Sequence, residues 1–194
     1  MKTQISGASQ NCKFPQTLIY SLLDDQLLVC LRSWNGTDAN QKVVDEISHF
    51  LSAANADLEV TTPYEFVESL SSLANKVRIA TLLANDNIHK TENKDTYTHG
   101  YELAIIFKNQ QEISWATVGR YEICAIKNKK KISIINSGHF LDDEILLPVA
   151  LLGLDREPTV LAGSLSVKHL ESLQIESNYD ERSTYWHVVI SDFV

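Results

Sequence analysis

At 194 residues, with 44% apolar and 22% charged residues, the chain is long enough to bury a core and too apolar to be disordered. Its net charge of −8 argues against a nucleic-acid partner, which needs a concentrated basic surface. No segment approaches the roughly 20 apolar residues of a membrane-spanning helix, and the N-terminus carries no secretory apolar run. The cysteines, Cys12, Cys30 and Cys124, are odd in number and lack zinc-ligand spacing, so reduced thiols in a reducing, cytoplasmic compartment are expected.

Residues 18–23 and 27–33 are apolar runs on either side of Asp24-Asp25-Gln26, a strand–turn–strand pattern. Val43, Val44, Ile47, Phe50 and Leu51 recur at helical spacing. Thr62-Pro63-Tyr64-Glu65 has a capping Thr, a first-turn Pro and a Glu placed for a capping box, which predicts a long helix from there to about Ile88. Residues 89–99 are polar and read as a surface loop. The period then changes to that of strands over residues 101–108, 112–119, 121–127 and 131–136. Lys127, Lys129, Lys130 and Lys131 are the only basic cluster and read as a solvated hairpin turn. Residues 141–152 suit a short helix interrupted at Pro148, residues 160–165 are ambiguous, and residues 170–175 and 184–192 read as closing strands. With helices segregated from antiparallel strands, and neither repeat nor linker, a single α+β domain over residues 1–194 is expected.

The last strand, Tyr185-Trp186-His187-Val188-Val189-Ile190-Ser191, delivers one carboxylate, Asp192, to a sheet edge. Taken alone, such a residue is more often a turn Asp than a ligand. The six histidines, at 49, 89, 99, 139, 169 and 187, include no pair at helical ligand spacing, although His89 and His99 flank one loop. Gly163-Ser164-Leu165-Ser166-Val167 lacks the second Gly of a nucleophile elbow. The glycines are scattered singly, so no phosphate-cradling loop is present. Asp142-Asp143-Glu144 suits a helix start better than a metal site.

The element order and several short motifs resemble the PP2C (PPM) family of metal-dependent serine/threonine phosphatases. The apolar strand Leu27-Leu28-Val29-Cys30-Leu31 leads into Arg32-Ser33-Trp34-Asn35-Gly36 where the family has Asp-Gly-x-Gly-Gly. Arg32 stands at the bridging Asp, and only Gly36 survives. Ala84-Asn85-Asp86-Asn87 matches the Asn at the end of the long helix. Gly100-Tyr101-Glu102 replaces Gly-Thr-Thr, Val118-Gly119-Arg120-Tyr121-Glu122 stands for Val-Gly-Asp-Ser-Arg, and Leu147-Pro148 through Leu152-Gly153 matches a Leu-Pro-x-x-x-Leu-Gly stretch. Ser191-Asp192-Phe193 stands for Ser-Asp-Gly.

The resemblance implies a PP2C-like antiparallel β-sandwich flanked by helix pairs. In the family a pair of Mg²⁺ or Mn²⁺ ions supplies the nucleophilic water. With Arg32 replacing an acid, Lys13 present near the N-terminus without its neighbouring carboxylate, and Asp192 alone remaining, no metal cofactor is expected. The implied function is a catalytically inactive pseudophosphatase that acts as a protein-binding, regulatory domain in signalling. Its partner would be a protein, for example a kinase or a phosphoprotein, with no nucleic acid or membrane. Arg32, Trp34, Arg120, Tyr121 and Asp192 are the expected vestigial site or binding groove. An equally weighted reading has Arg32 and Arg120 merely paired with Asp192 and Glu102 or Glu122. The rival functions are a divergent metal-dependent phosphatase using Asp192 with Asp86 or Asp95, and an unrelated α+β interaction domain.

Overall fold

The computed structural model describes residues 1–6, 15–35, 37–56, 62–136, 150–177 and 186–193. Its strands are β1 (Lys2–Ser6), β2 (Thr17–Leu22), β3 (Leu27–Asn35), β4 (Gly100–Lys108), β5 (Glu112–Val118), β6 (Glu122–Lys127), β7 (Lys130–Asn136), β8 (Leu161–Ser166), β9 (Ser172–Ser177) and β10 (Trp186–Ser191). Helices α1 (Asn40–Ala56) and α2 (Ser72–Thr91) lie between β3 and β4 in the chain. Two hairpins are set by turn residues in the left-handed region, Leu23, Asp24 and Asp25 before β3 and Asn128 and Lys129 before β7. Asn and Asp tolerate that conformation better than most residues, so the lysine cluster is the hairpin its sequence predicts.

The strands form two antiparallel sheets, ordered β1-β10-β9-β6-β7 and β2-β3-β4-β5-β8. The second sheet is the middle layer. Leu27, Val29, Leu31, Leu103, Ile105 and Phe107 face α1 and α2. Their alternates Leu28, Cys30, Ala104 and Ile106 pack against Ile123, Leu173, Ile175, Val188 and Ile190 of the first sheet. Strands buried on both faces read as continuous apolar runs, which is how β3 and β4 read. The α+β sandwich is thus present. Among the described residues one helix pair, α1 and α2, flanks it, whereas pairs were expected. Residues 141–149 of the expected short helix lie outside the described residues. Residues 150–152 are not helical, and Leu152 exchanges backbone hydrogen bonds with Tyr101 at 2.9 and 3.0 Å.

The Thr62-Pro63 start is a correction. The long helix begins at Ser72, where the Ser71 hydroxyl accepts the Ala74 N–H at 3.1 Å. Buried Asn75 supplies the reason: it accepts the Val67 N–H at 2.8 Å and donates to the carbonyls of Val67 and Leu70. These bonds fix residues 67–71 in a turn and compete with a helix through Pro63. Phe66, just after the expected start, is exposed and lies outside any helix. Strand β1 was not anticipated, the ambiguous segment is β8, and no helix among the described residues is long and apolar enough to cross a membrane.

Candidate functional site

Arg32 lies on β3 with its side chain turned between the two sheets, in line with Leu28 and Cys30. Its Nη1 donates to Glu102 Oε2 on β4 at 3.0 Å and to Ser177 Oγ at the end of β9 at 2.8 Å. The Arg32 and Glu102 side chains are 5% and 1% exposed. Removing either ion from water costs several kcal/mol, so each is tolerated there because the other compensates it. The next strand makes room for this pair. Gly119 follows β5 with φ of +94°, and a Cβ at that position would stand 2.5 Å from Glu102 Cγ. A side chain at residue 119 would therefore meet both backbone strain and a clash with the buried carboxylate.

Four of the five expected site residues gather at this end. Trp34 is half-buried at the exit of β3, and Arg120 and Tyr121 follow Gly119. Arg120 and Tyr121 are buried, and Tyr121 belongs to the core between the sheets. The expected open groove is thus filled by protein at Arg32, Arg120 and Tyr121. The fifth residue, Asp192, is a correction. Strand β10 runs antiparallel to β9, with Trp186 opposite Ser177 and Ile190 opposite Leu173. It therefore starts at the Arg32 end and carries Asp192 to the other pole. Six residues of strand place the two ends about 20 Å apart. Asp192 has φ of +55° and pairs with Lys2 at 2.8 Å, with 55% of its side chain exposed. It is a turn residue. The strand that ends beside Arg32 is β9, and it brings Ser177 there. The usable signal was strand direction, since two adjacent antiparallel strands cannot both end at one pole.

Two of the motifs that carried the resemblance meet in space. Asn85 on α2 accepts the Gly153 N–H at 2.7 Å and donates to the carbonyls of Asp155 and Arg156 at 3.0 and 3.3 Å. Asn93 donates to the Gly153 and His99 carbonyls at 2.7 and 2.8 Å, and His89 Nδ1 lies 3.2 Å from the Gly153 carbonyl. His89 and His99 thus converge on one loop through Asn93 and Gly153, as structural stitching. His99 Nε2 lies 3.2 Å from Asp38 Oδ1 and its Nδ1 2.9 Å from Thr98 Oγ1. That Thr–His–Asp chain lacks local oxyanion donors, because the Thr98 and His99 N–H groups are both held by Asn93 Oδ1. Of the rival reading's acids, Asp86 is bound to Lys90 at 2.6 Å and Asp95 is exposed in the loop after α2.

On the far face of the first sheet, Glu122 and Glu176 are direct cross-strand partners. Lys131 bonds Glu176 at 2.5 Å, and the Cys124 thiol donates to Glu122 at 3.2 Å. Burial and the Glu122 carboxylate push that thiol up to about 12. Among the described residues, no three His, Cys, Asp or Glu side chains converge to hold a metal. Gly36, Lys13 and Cys12 lie outside the described residues.

No family model matches the sequence, and no curated protein is significantly similar to it. Solved structures match nearly end to end. The serine/threonine phosphatase Stp1 from Staphylococcus aureus superposes with a TM-score of 0.63 at 11% identity, covering 98% of this chain and 94% of that one. PppA from Pseudomonas aeruginosa, a regulatory component of a type VI secretion system, gives 0.62 at 10% identity over 98% and 97%. The phosphatase PstP from Mycobacterium tuberculosis gives 0.55 at 14% identity over 96% and 97%. The chain has the fold of the PP2C-type serine/threonine phosphatases.

Proposed function

We propose that this chain is a single PP2C-like domain that is catalytically silent and acts by binding a protein partner. The observation that carries the reading is the Arg32–Glu102 pair. A matching structure of the PstP catalytic domain holds two manganese ions, and the residues at the Arg32 end do not fit such a pair. Divalent ions of this type require several free carboxylate oxygens. Here a guanidinium is buried among the side chains, Glu102 already answers it, Ser177 offers a neutral hydroxyl and Asp192 belongs to the other pole. A cation entering beside Arg32 would meet a like charge at short range, which opposes binding by several kcal/mol even at a screened interior dielectric.

Calorimetric titration of the purified protein with Mn²⁺ and Mg²⁺, alongside hydrolysis of a generic aryl phosphate, tests the reading. The expected results are no stoichiometric site tighter than about 0.1 mM and a rate equal to that of buffer. An Mn²⁺-dependent rate that disappears in Glu102→Gln would favour the divergent enzyme instead. Arg32→Asp sharpens the test. It places two carboxylates side by side, should be the least stable variant in the absence of metal, and should recover part of that loss with Mn²⁺.

A further inference from the structure

The middle sheet has two outer strands, β2 and β8. Strand β8 reads Leu161-Ala162-Gly163-Ser164-Leu165-Ser166 and pairs with β5 without a bulge. It therefore lacks charge, proline and bulge, the devices that keep an exposed edge from pairing. The outer strands of the other sheet do carry such guards, Lys2 on β1 and Lys130 and Lys131 on β7. Among the described residues, no backbone hydrogen bond of residues 161–166 leads away from β5. In antiparallel pairing with one neighbour, alternate N–H and C=O groups point outward, so the outer side of β8 is an unused row of donors and acceptors. Ala162 and Leu165 pack against the two cores, while Leu161 keeps 38% of its surface in water.

The strand is complementary to itself. A two-fold axis normal to the sheet at Gly163 would set two copies antiparallel with like faces together. Leu161 would then stand opposite Leu165, Ala162 opposite Ser164, and Gly163 opposite itself. The leucine pair would cover the exposed Leu161, and small residues would meet on the other face. Charge favours the same occupant. The nearest charged residues in the chain are Glu157 before β8 and Lys168 after it, both exposed and of opposite sign. Antiparallel copies bring the start of one strand to the end of the other, so these signs match at both ends. β2 is free of charge as well, but a β8–β2 contact would be heterologous and grow into a filament, whereas the β8 pair closes. We infer that the β8 edge is a self-association surface, where a second copy of this chain extends the middle sheet across a two-fold at Gly163. One pair of short strands falls well below the roughly 1,000 Å² of a stable interface, so the dimer is weak and forms at high concentration. This inference is independent of whether the Arg32 end is silent.

The test is sedimentation of the full chain from about 10 µM to about 1 mM, the range of such an interface, with amide hydrogen exchange at both ends of that range. A mass that rises toward two copies and no further is expected, with β8 amides slowing as concentration rises. Ser164→Lys and Leu161→Lys each place a guard on the edge and should each weaken association at least about tenfold. Two separate positions keep the proposal testable if one variant folds poorly. Gly163 is left unaltered, because a Cβ there would stand 2.8 Å from Trp115 Cζ2. Mild oxidation reads the register. An equal mixture of Ala162→Cys and Ser164→Cys should cross-link, and each alone only to the wild-type level. Like positions would lie two residues out of register, beyond the roughly 7 Å Cα separation a disulfide can bridge. A monomer throughout, a mass that passes two copies, protection on β2 or β7 in place of β8, or association unchanged in both lysine variants overturns the inference. Cross-linking as strong in either cysteine variant alone overturns the two-fold at Gly163.

Discussion

Glu102 lies directly across the β3–β4 ladder from Arg32 and meets its guanidinium at 3.0 Å in the interior between the sheets. Breaking such a pair from one side leaves an uncompensated buried charge. Arg32→Ala and Glu102→Ala should each lower unfolding stability by about 3 kcal/mol, and the double variant by clearly less than the sum. Denaturant midpoints in a double-mutant cycle read this directly. Strict additivity would mean that the two residues do not sense each other.

Asp192 offers the contrasting case. Lys2 donates a hydrogen bond to its carboxylate and holds it below the usual carboxylate range. A lowered folded-state pKa contributes stability above the unfolded value, near pH 4, and that contribution is lost as pH falls through the folded pKa. Because the pair is exposed, salt should erase most of it. Asp192→Ala should leave the midpoint at pH 7 and moderate salt almost unmoved, and its effect should add to that of Arg32→Ala. Coupling between those two sites would contradict the direction of β10.

Asn85 is 1% exposed and satisfies three backbone groups of residues 153–156. Asn85→Ala should destabilise by about 2 kcal/mol, because the Gly153 N–H and two carbonyls lose their partner in the interior. Hydrogen exchange at Gly153 should accelerate more than exchange at β10. Uniform acceleration would show that the loop has no local dependence on α2.

Cys30 and Cys124 are both buried free thiols. Loss of hydration pushes each up to about 12. Almost none of either is thiolate at pH 8, and the thiolate is the reactive form. Alkylation followed by peptide mass analysis should label neither residue in the native protein and both in guanidinium. Rapid native labelling of Cys124 would place it at the surface.

Much of this fold was legible in the sequence, for identifiable reasons. β3 to β7 appear within a residue or two of their expected bounds because branched and aromatic runs are broken by short polar turns. Arg32 was legible because a charged residue in an apolar strand demands a partner, and Glu102 was one of the partners considered. The start of α2 was not, since Asn75 folds the preceding turn through its side chain and a pattern of caps does not register that competition. β1 was missed because Lys2-Thr3-Gln4-Ile5-Ser6 has one apolar residue, and its place depends on pairing with β10. Asp192 was misplaced because sequence records where a strand ends in the chain but not at which pole of the sheet.

The buried pair also constrains how β3 and β4 can align. Both strands are apolar on both faces, so hydrophobicity alone distinguishes poorly between neighbouring registers. A slip of one residue would turn Arg32 toward α1 and α2 and strand Glu102 without its counter-ion. A slip of two would keep the facing but separate the charges along the strand. The Arg32–Glu102 contact therefore acts as an index mark between two strands that could otherwise slide, penalising every alignment but one.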